Sequence, residues 1–323
     1  MQAAIIGTGA CVPDQVLTNK ALEELVDTSD EWIVSRTGIR ERRRAGHDEA
    51  SSDLAYSAAR HALKDAGIRA DEVDLVLVAT ATPDMLLPST ACIVQGRLGL
   101  KHVPAFDLSA VCTGFIYGLS TADAFIRSGA YRTILLIGVD TLTKFTDYND
   151  RTTCVIFGDG AGAIVVRATH EKKGVVGSTL YADGSKWDYI YVPAGGSRTP
   201  SSVADKTNCY LRMKGHDTFK VAVRGLEQAI VDLLERCHLS PDEVDIVIPH
   251  QANVRIIEAL TRKLGYPPEK VFVNIERYGN TSAASIPIAL DEAVRAGKIK
   301  SGDNVLLAAF GSGLTWGASL IRW

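Results

Sequence analysis

The sequence predicts an α/β protein written as two related halves, and three observations predict it. Strand-like apolar runs alternate with helix-like stretches along the chain. Several segments recur in the same order at spacings of 168 to 171 positions. The chain, at 323 residues, also exceeds the roughly 250–300 residues beyond which a single core stops growing, so two units or fused halves are expected.

The openings of the halves echo each other, Ile5-Ile6-Gly7 against Val175-Val176-Gly177. The clearest echo sets Asp71-Glu72-Val73-Asp74 against Asp242-Glu243-Val244-Asp245, 171 positions apart. Each copy follows a helix-like stretch, residues 51–66 and 219–237, and precedes an apolar strand. Farther on, Asp123, Arg127 and Gly129 are matched by Asp291, Arg295 and Gly297 at a spacing of 168, and the strand-like residues 134–139 and 305–310 follow at 171. The polar stretch 168–174 makes a junction, giving halves 1–173 and 174–323. Alternating strands and helices imply two doubly wound, largely parallel units packed together. Sites in such sheets lie beyond the carboxyl ends of the strands.

Composition removes several function classes. A formal net charge of −3 argues against nucleic-acid binding by bulk electrostatics. The longest apolar runs, residues 133–139 and 154–166, are too short to span a membrane or carry Asp159. The N-terminus reads as a strand entering a glycine turn, so a cytoplasmic protein is expected. Six cysteines are scattered without a CxxC pair or a metal-ligand pattern, and they are read as reduced thiols with no metal site. The run Arg40-Glu41-Arg42-Arg43-Arg44 reads as a solvated charged face.

Three residues carry the chemistry. Cys112 lies at a strand-to-helix turn, ahead of a small-residue helix over 113–127, where the helix N-terminus lowers a thiol's pKa. His250 directly follows the strand 244–248. Asn280 precedes a second small-residue helix over 282–295. Taken singly, each has a plainer reading as a small buried hydrophobe, a core histidine and a helix cap. The 168 spacing, however, sets Cys112 opposite Asn280, and the 171 spacing sets His250 opposite Ala79. Three reactive or polar side chains thus converge on one interface between the halves.

Around these residues the sequence resembles the β-ketoacyl-acyl-carrier-protein synthase III family of thiolase-like condensing enzymes. Segments along nearly the whole chain carry the resemblance, among them residues 27–33 and 36–42, Cys112-Thr113-Gly114, residues 157–163, Pro249-His250-Gln251-Ala252-Asn253, Gly279-Asn280-Thr281-Ser282 and Gly311-Ser312-Gly313. The resemblance implies a thiolase-like fold, with two duplicated halves whose central mixed sheets are sandwiched by helices in five layers, αβαβα. It implies condensation of an acyl-CoA primer with malonyl-acyl carrier protein by a homodimer, with the CoA thioester as substrate and no metal or redox cofactor. Cys112 would take the acyl group, and the backbone amides of Cys112 and Ser312 would hold its oxyanion. His250 and Asn280 would hold the enolate formed when malonyl loses CO₂. The family often has glycine where Ser312 stands.

The resemblance also assigns the binding surface. Trp32 and Arg151 would sandwich the CoA adenine, and Thr28, Arg36 and Asn253 would line the rest of its path; the family often has asparagine where His216 stands. Leu142, Phe157, Ile190, Leu211, Met213 and Phe310 would bound the acyl pocket, closed across a dimer interface by Leu87. Residues 253–264 read as an amphipathic helix whose basic face, Arg255, Arg262 and Lys263 with Lys220 beside it, suits an acidic carrier protein.

Rival readings are weaker. The glycines at 158, 160 and 162 sit mid-chain between apolar strands, where a dinucleotide fingerprint is not expected. A non-catalytic acyl-binding module has no use for the three residues together. A degradative thiolase needs a second cysteine near the glycine-rich turn at 311–313, elongating synthases use a second histidine where Asn280 stands, and plant-type polyketide synthases are longer. A synthase-III-like enzyme of secondary metabolism is the remaining alternative.

Overall fold

Strands covered on both faces by helices read as unbroken apolar runs, and the interior strands here do so. In the computed structural model, which describes residues 1–323, nine strands form two main sheets. The first contains β1 (Gln2–Cys11), β2 (Leu75–Ala79), β3 (Ala105–Leu108), β4 (Thr133–Thr141) and β5 (Asp159–Thr169), in the order β1-β5-β4-β2-β3. The second contains β6 (Gly174–Ala182), β7 (Ile246–Pro249), β8 (Asn304–Gly311) and β9 (Thr315–Arg322), in the order β7-β8-β9-β6. Val271 bridges alongside Val247, where a fifth strand would match β3 of the first sheet.

The two sheets share one topology, but it is mixed rather than largely parallel, which corrects the pattern-based expectation. β2 runs parallel to β3 and β4, whereas β5 runs antiparallel to β4 and to β1. In the second sheet β7 and β8 are parallel, and β9 is antiparallel to β8 and β6. The cause is local. Parallel neighbours need a crossover connection, and only Ser312, Gly313 and Leu314 separate β8 from β9. The echo at Ile6 and Val176 has a structural meaning: each is the residue skipped where its strand bulges in the ladder.

The principal helices are α1 (Asp30–Thr37), α2 (Ser51–Asp65), α3 (Thr90–Arg97), α4 (Gly114–Arg127), α5 (Gly215–Cys237), α6 (Val254–Leu264) and α7 (Ser285–Arg295). α4 and α7 lie between the sheets. Phe115, Leu119 and Ile126 of α4 and Ile286 and Leu290 of α7 join Leu77 and Leu136 of one sheet and Ile248 and Leu307 of the other in a single core. α2 closes the outer face of the first sheet and α5 that of the second. The layers therefore run helix, sheet, helix, sheet, helix. α5 begins four residues before the expected 219, because its polar first turn hides the start.

The structure also corrects the register between the halves. Val111–Thr113 and Ser282–Ala284 form matching 3₁₀ turns, opened by Val111 at φ 48° and Ser282 at φ 51°, and each leads into a central helix. At these turns the spacing is 171, so Cys112 stands opposite Ala283 and Asn280 opposite Ser109, not Cys112 opposite Asn280. α4 has 14 residues and α7 has 11. That three-residue difference produces the spacing of 168 seen at the helix ends, where Gly129 and Gly297 both take positive φ.

Arg42 corrects the reading of the 40–44 run as solvated. Its side chain is fully buried and donates to the Leu17 carbonyl (3.1 Å), Asn19 Oδ1 (2.8 Å) and the Val155 carbonyl (2.8 Å). These acceptors offset its desolvation, though burial still pulls it down to about 10.

Candidate active site

Beyond β3 the chain turns through Ser109 and Ala110 into the 3₁₀ turn that carries Cys112. Val111 pays a steric cost there, since a β-branched residue is an outlier at positive φ. A hydrogen bond to the second half holds the turn: the Thr113 hydroxyl donates to the Thr315 carbonyl (3.2 Å). Gly311, at the end of β8, lies directly against it. A Cβ on Gly311 would sit 2.9 Å from the Cys112 nitrogen and 3.0 Å from its Cβ, so only glycine admits this approach. The backbone N–H groups of Cys112 and Ser312 donate to no acceptor within the chain.

His250 follows β7, with its backbone N–H on the Ala308 carbonyl (2.8 Å). The next residue, Gln251, locks this loop. Its amide donates to the Pro249 carbonyl (2.8 Å) and its oxygen accepts from the N–H groups of Asn274 (3.1 Å) and Ile275 (3.2 Å). Asn280 is pinned to the first half: its N–H donates to the Ile156 carbonyl (2.9 Å) and its carbonyl accepts from Gly158 (3.0 Å). Its side-chain oxygen accepts from Ser282 N–H (2.9 Å), which leaves the NH₂ as the free end. Gly138 on β4 permits this seating, for a Cβ there would lie 2.3 Å from the Ala283 carbonyl oxygen.

Cys112, His250 and Asn280 all line one cavity of about 600 Å³, most of whose lining residues are hydrophobic. Burial dominates its electrostatics. It pushes the Cys112 thiol up to about 12, and the Asp140 charge adds to the rise. This reverses the lowering expected from the helix N-terminus alone. Burial likewise pulls His250 down to about 3, and neither ring nitrogen has a hydrogen-bond partner. Burial thus favours the uncharged form of both the thiol and the imidazole that line this cavity. Asp140, fully buried at the end of β4, accepts from the N–H groups of Ala81 (2.7 Å), Thr82 (3.1 Å) and Ala283 (3.2 Å). It ties the Asn280 loop to the first sheet.

Most of the residues implied by the resemblance gather here. Leu142, Phe157, Ile190, Leu211, Met213 and Phe310 wall the cavity, and Trp32, Arg36 and Asn253 line its mouth with His216, Lys220 and Arg255. The Asn253 amide donates to the Arg36 carbonyl (3.0 Å) and so joins the halves at that mouth. Ser312 contributes no lining side chain; Gly311 lines the cavity instead. The Arg151 guanidinium lies 5.3 Å from the centroid of the Trp32 ring. A planar ring between them needs about 7 Å, two van der Waals contacts, so Arg151 has to swing aside to admit one. Thr28, Arg262 and Lys263 lie outside the lining, and Lys263 pairs with Glu227. Leu87 stands away from the cavity, 84% exposed.

Sequence reasoning missed Asp140 and Gln251. An aspartate ending an otherwise apolar strand was the only available signal for the first, and the second stood in the segment 249–253 with no role of its own assigned. No cluster of three or more His, Cys, Asp or Glu side chains is arranged to hold a metal ion, and no helix is long and apolar enough to cross a membrane.

Comparison with known proteins places this geometry in context. Residues 106–184 match the family described as 3-oxoacyl-[acyl-carrier-protein (ACP)] synthase III, and residues 234–323 match its C-terminal part. The β-ketoacyl-[acyl-carrier-protein] synthase III of Caldanaerobacter subterraneus subsp. tengcongensis is 52% identical, spanning 99% of this chain and 98% of that one. That of Aquifex aeolicus is also 52% identical, over all of both chains. Among solved structures, the Aquifex aeolicus synthase III superposes with a TM-score of 0.93 over 99% of this chain and 100% of its own, at 52% identity. The Thermus thermophilus synthase III gives 0.94 at 47% identity, over 99% of both.

Proposed function

This chain belongs to the β-ketoacyl-acyl-carrier-protein synthase III family, and from that premise we propose how its site carries out a decarboxylative condensation of an acyl-CoA primer with malonyl-acyl carrier protein. The observation that carries the reading is the convergence of Cys112, His250 and Asn280 from the two halves onto one apolar cavity, with two unused backbone N–H groups where Gly311 meets Cys112.

In the first half-reaction the Cys112 sulfur attacks the acyl-CoA carbonyl, the carbon–sulfur bond to CoA breaks, and the thiol proton ends on the departing CoA sulfur. Because burial holds the thiol protonated, deprotonation is coupled to substrate binding, and neutral His250 is the proton acceptor within the cavity. The N–H groups of Cys112 and Ser312 receive the oxyanion. In the second half-reaction the malonyl thioester loses CO₂, and its electron pair becomes an enolate whose oxygen accepts from a His250 ring N–H and the Asn280 NH₂. The enolate carbon attacks the acyl group and expels the Cys112 sulfur as a thiolate, which takes up a proton from solvent as the product leaves.

At the mouth, Arg36, Lys220 and Arg255 attract the anionic thioesters, with exposed Arg262 extending the basic surface toward an acidic carrier protein. We read the enzyme as a cytoplasmic homodimer. Leu86 and Leu87 are 78% and 84% exposed, and their loop is held to the open-edged β3 by Asp107, which accepts from Thr90 N–H (2.8 Å) and Ala91 N–H (2.7 Å). A second copy covering this surface would bring Leu87 to its acyl pocket.

Incubation with a panel of acyl-CoAs, followed by mass spectrometry, tests the reading. An acyl adduct on Cys112 is expected with at least one primer, and no adduct with any of them would overturn it. Gly311→Ala is expected to slow that acylation by about 10²-fold or more, since the methyl group displaces a donor turn; stopped-time mass analysis reads the rate.

His250 has a consequence for stability. Its folded-state pKa lies below its unfolded value, so the unfolded chain binds the proton first. Stability should therefore fall as pH drops from about 6.5 toward 3, by a few kcal/mol in total from this residue. Urea unfolding of His250→Asn alongside the parent should show a shallower acid loss in the variant, and parallel curves would contradict it.

A further inference from the structure

Ser312 does more than present its amide. Its hydroxyl donates to the Ile190 carbonyl, 122 positions away in sequence. Ile190 belongs to a short ribbon in which Ile190–Tyr191 pairs antiparallel with Arg212–Met213, Ile190 opposite Met213. Ile190 and Met213 both wall the acyl end of the cavity. No other hydrogen bond joins this ribbon to the turn between β8 and β9. The turn itself is fixed from two sides. Asp183 and Leu314 exchange backbone hydrogen bonds of 2.8 and 3.0 Å, and the Thr315 hydroxyl reaches the Ser312 carbonyl at 3.1 Å. With its hydroxyl and carbonyl both engaged, Ser312 keeps only its N–H unpartnered.

Resting on the function proposed above, we propose that the Ser312 hydroxyl is a positioning and specificity-determining group, clamping the Ile190 wall of the acyl pocket to the turn that carries an oxyanion donor. The clamp sets pocket depth and donor alignment together. A primer long enough to push the ribbon outward strains the hydrogen bond and pulls the Ser312 N–H away from the carbonyl oxygen it must meet. Short primers leave both in place. The side chain thus selects against long acyl groups without touching them, and a residue lacking the hydroxyl frees the wall.

The test compares acylation of Cys112 by acetyl-CoA and by hexanoyl-CoA in the full-length protein, followed by intact mass, for the parent, Ser312→Ala, Ser312→Gly and Ser312→Thr. Removing one hydrogen bond should raise the hexanoyl-to-acetyl rate ratio by about five- to tenfold in the alanine and glycine variants. Threonine, which keeps the hydroxyl, should hold the ratio within about threefold of the parent. A ratio unchanged in alanine and glycine, or an equal loss with both primers, would overturn the proposal while the parent still acylates. A parent that takes up no acyl group would overturn the proposed function as well, so the two failures are distinguishable.

Discussion

Replacing Cys112 by serine is expected to abolish the acyl adduct and lower overall condensation by at least about 10³-fold, the scale seen when a covalent nucleophile is removed. The argument rests on position as much as on chemistry. Of the six cysteines, Cys112 alone lines the cavity. A serine there keeps the backbone N–H and the packing, so decarboxylation of malonyl thioester should persist at His250 and Asn280 while acyl uptake stops. An adduct on another cysteine in this variant, or undiminished condensation, would sink the assignment. Because burial holds the parent thiol near 12, its alkylation by a small uncharged reagent should keep rising with pH through 9 without a plateau. A plateau below pH 8 would show a thiolate already present in the resting protein.

Asn280→Ala should separate the two half-reactions. Loss of one donor to a developing oxyanion costs about 10²–10³-fold, and that loss should fall on malonyl decarboxylation while acyl transfer to Cys112 stays within a few-fold. Alanine also frees the Ser282 N–H, which the Asn280 oxygen now accepts at 2.9 Å, and so could disturb the neighbouring turn. Asn280→Asp addresses this, since it keeps an oxygen for the Ser282 N–H while putting a carboxyl oxygen in place of the NH₂ donor, and its negative charge when ionised further opposes an enolate. Both variants should lose decarboxylation, followed as CO₂ release. Equal loss of acyl transfer and decarboxylation would refute the division of roles.

The pH dependence of decarboxylation checks the same site from another direction. A histidine held neutral by burial down to about 3 should leave the rate flat across pH 6.5, where an exposed imidazole titrates. A break there would mean that the ring meets solvent during turnover.

By itself the sequence determined the alternation of strands and helices and the twofold repetition, and it singled out the three residues that the fold brings to one cavity. These features are written in local periodicity and residue type. It misjudged whatever depended on how distant segments meet. The 168 spacing at Gly129 and Gly297 is genuine, yet it reflects a shorter α7 and not the alignment of Cys112 with Asn280. Arg42 reads as one more surface cation because its three acceptors come from residues 17, 19 and 155. Antiparallel β9 is dictated by a three-residue connection, a length that an apolar run does not reveal. Only tertiary structure decided that Cys112 rests as a buried thiol, that Asp140 and Gln251 hold the loops bearing Asn280 and His250, and that Ser312 reaches Ile190. The reason is physical: burial and long-range hydrogen bonding are properties of a packed arrangement, and one sequence window records only its own half of each contact.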